Sequence, residues 1–240
     1  MSNPYQTPGY QPPSFTPQTG AGSLDGALNG EYDFTVNEIF AEAWEKTAGA
    51  KGAFWGAILF IGFISVIGGM VQKALLGNGQ ASQIFGGLLI LPITGPLYIG
   101  LFKMGVRRAA GETITASDVF RYLSPYNVQL VIVQVLVYLA IILGFMALLL
   151  PGVYLAISYT FAPLLVADHG LQPWDAMETC RKSVGHKWWK FFGYFLLTGL
   201  MFIASCIPLG LGLIWALPTF VIANGVLYRR VFGPSPESVA

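Results

Sequence analysis

The chain has 240 residues, with 13 Lys+Arg, 12 Asp+Glu and a formal net charge of +1 at pH 7. Charged residues make up only 10% against about 25% in ordinary soluble domains, apolar residues make up 54%, and the mean hydropathy is +0.60. These values exclude most soluble classes as well as disordered, collagenous and disulfide-scaffold chains, and the near-zero charge leaves no basic footprint for nucleic acid.

Residues 1–32 read as a disordered Pro/Gly/Gln/Tyr-rich cytoplasmic tail. The first 30 residues hold one charge, Asp25, and no apolar run, so the basic and apolar regions of a secretory signal are missing. A loose five-residue repeat begins at Tyr5, Tyr10 and Phe15, and such a composition cannot bury enough surface to fold alone. The three aromatics are candidate docking residues for an aromatic-reading or proline-reading protein partner. Their spacing is not PxxP, and a solvated leader with no partner fits the composition as well.

Membrane spans are expected within 33–232. No Asp, Glu, Lys or Arg occurs in Ala53 to Val71, Ala74 to Phe102, Val128 to Ala167 or Phe191 to Tyr228. About 20 apolar residues in a helix cross roughly 30 Å of hydrocarbon, so each of the first two blocks supplies one span. The last two are twice the needed length and must turn back, near Pro151-Gly152 and Pro208-Leu209-Gly210. Six spans are predicted, at about 53–71, 84–102, 129–149, 152–168, 190–207 and 209–228, with a short polar tail at 233–240. Lys and Arg collect in cytoplasmic loops, and this layout puts every one of them except Lys73 on one side, with both termini. Both termini are therefore expected on the cytoplasmic side of the membrane.

Three segments on that side look alike: Phe34-Thr-Val-Asn-Glu-Ile-Phe, Ile114-Thr-Ala-Ser-Asp-Val-Phe and Leu171-Gln-Pro-Trp-Asp-Ala-Met. Each is a helix start, by a Thr-x-x-acid capping pattern in the first two and by Pro173 in the third. Apolar residues follow at helical spacing: Val36, Ile39, Phe40, Ala43; Ala116, Val119, Phe120, Leu123; Trp174, Met177, Cys180, Val184, Trp188. Glu42 to Lys46 and Glu178 to Lys182 form i,i+4 pairs in the favourable order. A shift of 57 carries Asp118 to Asp175, Leu143 to Leu200 and Pro151 to Pro208. The predicted fold class is an all-α integral membrane protein built from three repeats of a cytoplasmic interfacial helix plus a transmembrane hairpin. Trp44, Trp55, Trp174, Trp188 and Trp189 then mark the inner face, and Cys180 and Cys206 lie too far apart to pair.

The run Tyr159-Thr-Phe-Ala-Pro-Leu-Leu-Val-Ala-Asp-His-Gly-Leu-Gln-Pro-Trp-Asp-Ala-Met-Glu-Thr-Cys-Arg-Lys-Ser-Val-Gly-His-Lys-Trp-Trp-Lys resembles the central signature of a broad group of uncharacterised bacterial multi-pass proteins. These are similar to the non-catalytic membrane domain attached to some glycerophosphodiester phosphodiesterases. The resemblance covers roughly residues 33–232 and is most specific from Leu164 to Trp189. It implies six spans in a bacterial inner membrane and brings no activity.

Chemistry is not expected. No ionisable residue falls at the centre of a predicted span, where a charge costs about 2.5 to 3.5 kcal/mol; Asp168, His169 and His186 are placed at or outside the inner boundary. No HExxH, CxxC, P-loop or GxSxG occurs, so no catalytic residue, cofactor or metal is expected. Pro92, Pro96, Pro163 and Pro218 interrupt spans, and Gln129, Gln134, Tyr138, Thr198 and Asn224 supply polarity, read mainly as kinks and interhelical hydrogen bonds. Gly52-xxx-Gly56 and Ala140-xxx-Gly144 fit helix contacts within the chain or between copies in a homo-oligomer. The expected function is a non-enzymatic membrane scaffold meeting anionic lipid headgroups or a protein partner. Its surface would comprise Lys46, Lys51, Arg107, Arg108, Trp174, Arg181, Lys182, Lys187, Trp188, Trp189 and Lys190. The alternative is a transporter or channel for a neutral or lipid-like solute, built on the proline-broken helices.

Overall fold

The computed structural model describes residues 21–77, 79–122 and 128–233. Among them the regular structure is helical throughout, with no strand. In chain order come α1 (Leu24–Asn29), α2 (Val36–Thr47), α3 (Lys51–Leu76) and α4 (Gln80–Ala109). A short 3-10 helix (Ala116–Tyr122) precedes α5 (Val128–Ala147), α6 (Leu149–Ser158), α7 (Ala162–His169), α8 (Pro173–His186), α9 (Trp188–Cys206) and α10 (Leu213–Phe232). Helix occupies all six apolar stretches.

Four stretches among the described residues are long and apolar enough to cross a membrane: α3, α5, the bent pair Leu149–His169 formed by α6 and α7, and α9. The chain is a membrane protein by that criterion. α10 is as long, but Pro218, Asn224 and the Arg pair that closes it dilute its apolar character.

The helix starts follow local chemistry. Thr35 is the N-cap of α2, and Gln172 caps α8 with Pro173 in its first turn, where the missing amide costs nothing. Thr115 donates its amide (2.8 Å) and hydroxyl (3.2 Å) to the Asp118 carboxylate. Among the described residues, the second of the three similar segments nevertheless forms a 3-10 helix, Ala116–Tyr122, and not an α-helix. Leu123 lies outside the described residues. The third block turns at Leu148, and Pro151 sits inside the first turn of α6; Pro163 likewise opens α7, so the break in this stretch is at Tyr159–Phe161.

Burial divides the molecule into two zones. At one end, the second halves of α4 and α10 pack with α1, α2, α7 and α8 around Phe54, Met104, Leu165, Phe191, Tyr228 and Phe232. At the other, the outward parts of α3, α5, α6 and α9 expose large apolar side chains, ending in the tips Leu148 to Leu150 and Ile207 to Leu211. α4 and α10 cross so closely that a Cβ on Gly105 would strike the Val221 carbonyl and one on Gly225 would strike the Gly105 backbone.

Three sequence expectations change here. Residues 21–32, assigned to the tail, are folded: Ser23 caps α1, the Gly22 amide bonds the Arg229 carbonyl (3.0 Å), and Tyr32 is buried with its hydroxyl on the Ser183 carbonyl (2.6 Å). Composition missed this because the anchor is one aromatic residue finding a distant pocket. α8 buries Met177, Cys180 and Val184 but leaves Trp174 outside, since its inward face is completed by Pro173, Ala176 and Ser183. Finally, α2 runs antiparallel along α10, from Glu38 and Glu42 beside Arg230 to Thr47 beside Thr219 (3.1 Å). Its apolar face is covered by protein, with Phe40 stacked on Tyr194.

Candidate functional site

The charged end is an internally paired network. Arg230 donates to Glu38 (2.7 Å) and Glu42 (2.9 Å), and Lys46 bonds Glu42 (2.6 Å) and the Ala109 carbonyl. Arg229 also donates to the Ala109 carbonyl (2.5 Å). Arg108 caps the end of α2 by donating to the carbonyls of Lys46 and Ala48, both at 2.8 Å. Arg107 pairs with Glu112 (2.7 Å) and Asp118 (3.1 Å). Lys187 and Lys190 converge on Asp33 (3.4 and 2.5 Å), and Lys187 also reaches the Tyr32 carbonyl and ring.

These contacts set the protonation of the acids. The Lys190 hydrogen bond, then that of the Phe34 amide, holds Asp33 down to about 2. The Arg230 bond lowers Glu38. Burial pushes Glu42 upward, but the bonds from Lys46 and Arg230 outweigh it and leave it lowered. Between these groups lies a polar cavity of about 470 Å³, lined by Asp33, Glu42, Lys46, Arg229 and Arg230.

Of the predicted lipid or partner surface, Lys46, Arg107, Arg108 and Lys187 therefore spend their charge inside the molecule. Lys51 does not face an inner rim: its ammonium lies 4.9 Å from the Trp215 ring, and Trp55 donates to the Ile214 carbonyl (3.1 Å). The start of α3 thus sits beside the start of α10. Trp188 is half-buried, stacked on Tyr154 and Phe192. What stays open is the outer edge of α8 and its junction with α9: Trp174 (67% exposed), Arg181, Lys182, Trp189 (77% exposed) and Lys190, with Arg181 and Lys182 sharing Glu178. Tyr5, Tyr10 and Phe15 lie outside the described residues.

Two features escaped the sequence. Lys103, counted as a loop charge, and Asp168, placed at the boundary, form an ion pair inside the protein, with side chains 6% and 0% exposed. A lysine directly after an apolar block looks the same whether it snorkels outward or turns inward, so no signal marked it. The second is a cleft of about 220 Å³ between α4, α5 and the α6–α7 break, walled by Ile99, Phe102, Phe161, Pro163 and Leu164 and rimmed by Tyr98, Tyr138 and Thr160. Gln134 lines it while donating to the Gly95 carbonyl (3.2 Å), so this amide joins two helices as expected. Asn224 and Thr198 instead bond their own helices, to Phe220 and Tyr194.

Both cysteines are free, and among the described residues no group of three His, Cys, Asp or Glu could hold a metal. Comparison with protein-family models gives no match. Neither curated proteins nor solved structures match the chain.

Proposed function

We propose that this chain is a multi-span, non-enzymatic protein of a bacterial inner membrane, with both termini cytoplasmic and with α2 packed along α10 instead of lying free in the interface. In this reading the paired charged end is a cytoplasmic hub that holds the hairpins together and offers the edge of α8 to anionic lipid or a protein partner. The resemblance of residues 159–190 to the multi-pass group described above is part of the proposal.

One observation carries it: exposed large apolar side chains gather on α3, α5, α6 and α9, whereas two exposed tryptophans and the exposed cations Arg181 and Lys182 share one edge by α8. Tryptophan beside Lys and Arg is the composition of a headgroup-level surface. Each cation near an anionic surface contributes about 1 kcal/mol, reduced here by Glu178.

The test is anionic-lipid retention by the full chain purified from membranes. Arg181→Glu with Lys182→Glu should lower retained phosphatidylglycerol without altering insertion. Unchanged retention in a correctly inserted protein defeats the lipid-facing role.

A second reading, transport of a neutral or lipid-like solute, draws on the cleft at Gln134, which sits where α4 carries Pro92 and Pro96 and where α6 and α7 part. Flux of such a solute through sealed vesicles would decide it.

A further inference from the structure

The polar cavity at the charged end is walled by α2, by the end of α4 at Ala109 to Gly111 and by the last turns of α10, with Ala21 and Asp33 closing one side. Its volume of about 470 Å³ falls in the range of sites that hold small molecules, roughly 300–1,000 Å³. Its charged side chains are open to a ligand: Glu42 and Lys46 each keep 28% of their side-chain surface exposed, and Arg230 keeps 23%.

The acceptors in the wall are already taken. Glu42 accepts from Lys46 and Arg230, Asp33 from Lys187 and Lys190, and the Ala109 carbonyl from Lys46 and Arg229. The positive charge is not used up. Lys46, Arg230, Lys187 and Lys190 answer Asp33, Glu38 and Glu42, which is four cations to three acids before Arg229 is counted. Both wall acids are held below their ordinary values, so they are ionised at neutral pH and the count stands there. Arg229 lines the cavity as a further cation. Burial pulls its guanidinium below the ordinary value, and the fields of Glu42 and Glu112 do not make up the loss. A cleft with such a surplus focuses positive field into the water it holds, and an anion entering it meets donors of matching charge.

The donors narrow the anion. Arg229 and Arg230 carry planar guanidinium forks and Lys46 a compact ammonium, a mixture suited to an oxyanion with three or more oxygens. At about 30 Å³ per water-sized group, the cavity takes a phosphoryl group and leaves room for a small organic remainder.

We propose that the cavity between α2, α4 and α10 binds the phosphate group of a small anion, held by Lys46, Arg229 and Arg230. The site goes beyond the role of the α8 edge: it uses none of Trp174, Arg181 or Lys182, and it needs no bilayer.

The full chain in phosphatidylcholine nanodiscs is equilibrated with radiolabelled inorganic phosphate, at an ionic strength fixed by chloride. Saturable binding of one phosphate per chain is expected. Arg229→Gln should weaken it about ten-fold, the value of one charge-assisted hydrogen bond. Because Arg229 also ties α10 to the end of α4, Ala110→Glu serves as a second variant. Ala110 lines the cavity at a φ of −74° that any residue adopts, so a carboxylate there answers the surplus charge with the whole network in place and should abolish binding. Discs doped with phosphatidic acid separate the sources of the phosphate. Binding that persists in them supports the site for a soluble ligand, and binding that phosphatidic acid displaces, where an equal charge of phosphatidylglycerol does not, supports it for a phosphomonoester headgroup. No saturable binding by the monodisperse parent, or binding that Ala110→Glu leaves unchanged, overturns the proposal.

Discussion

Lys103 on α4 and Asp168 on α7 meet inside the helical core, one turn of α4 before Arg107 of the charged network, with both side chains almost wholly buried. Removing one partner of such a pair leaves the other charge buried and uncompensated, at a cost of about 3–5 kcal/mol, whereas replacing both with apolar groups is often close to neutral. Lys103→Met and Asp168→Asn should each lower the thermal midpoint of the purified protein sharply, and Lys103→Met with Asp168→Leu should restore most of the loss. Single variants as stable as the parent would show that the two charges do not depend on each other.

The close crossing of α4 and α10 yields a sharper contrast among glycines. Gly105→Ala drives a methyl into the Val221 carbonyl, backbone that cannot swing aside, and overpacking of that kind costs about 1–3 kcal/mol. Gly52→Ala meets nothing within 4 Å and gains helix propensity. Heat-induced loss of monodisperse protein should therefore come earlier for Gly105→Ala and no earlier for Gly52→Ala. The reverse order would mean that α3, not α10, makes the intimate contact.

What was legible and what was not follow from range. Exclusion of charge is a local property of a contiguous stretch, so helix is found in all six apolar blocks, although α4 runs on to Ala109 and the fourth of them breaks into α6 and α7; the i,i+4 pairs Glu42–Lys46 and Glu178–Lys182 stand at 2.6 and 2.9 Å. Arg230 with Glu38, Lys190 with Asp33 and Tyr32 with Ser183 join residues more than a hundred positions apart. No periodicity encodes such pairings. The same limit hid the glycines: Gly52-xxx-Gly56 has the familiar spacing, yet only Gly56 packs, against Ala116, while Gly105 and Gly225 belong to different helices and share no motif. The candidate surface suffered most, because acids that cancel a basic rim can come from anywhere in the chain.

Asp33 provides a pH-dependent anchor. Its carboxyl is held at about 2, chiefly by Lys190, against an ordinary 3.8. Because the folded value is the lower one, the tie between the segment before α2 and the start of α9 is fully present above about pH 4 and is lost as pH falls through 2. The segment 21–36 should become more susceptible to pepsin across that window, relative to an unstructured reference peptide, and Asp33→Asn should show the raised susceptibility already at pH 4. A profile identical for both proteins would remove Asp33 as the anchor.

The two cysteines test the layout without any substitution. Cys180 is fully enclosed under Phe161 and Ala162, and burial pushes its thiol up to about 12, so almost no thiolate exists at neutral pH. Cys206 is exposed at the end of α9, next to a tip formed by Ile207, Pro208 and Leu209, the last with a left-handed φ of 54° and 97% exposure. α9 has 19 residues, about 28 Å of helix, which just matches the hydrocarbon thickness. A span beginning at the charged end therefore delivers Cys206 to the opposite headgroup layer. In intact spheroplasts a membrane-impermeant maleimide should modify Cys206 and leave Cys180 untouched until the protein is denatured. Modification of Cys206 only in inside-out vesicles would invert the orientation. Protection of Cys206 on both sides, with reaction in detergent, would mean that the apolar α9–α10 tip stays within the hydrocarbon, and the third hairpin would then dip into the bilayer without crossing it.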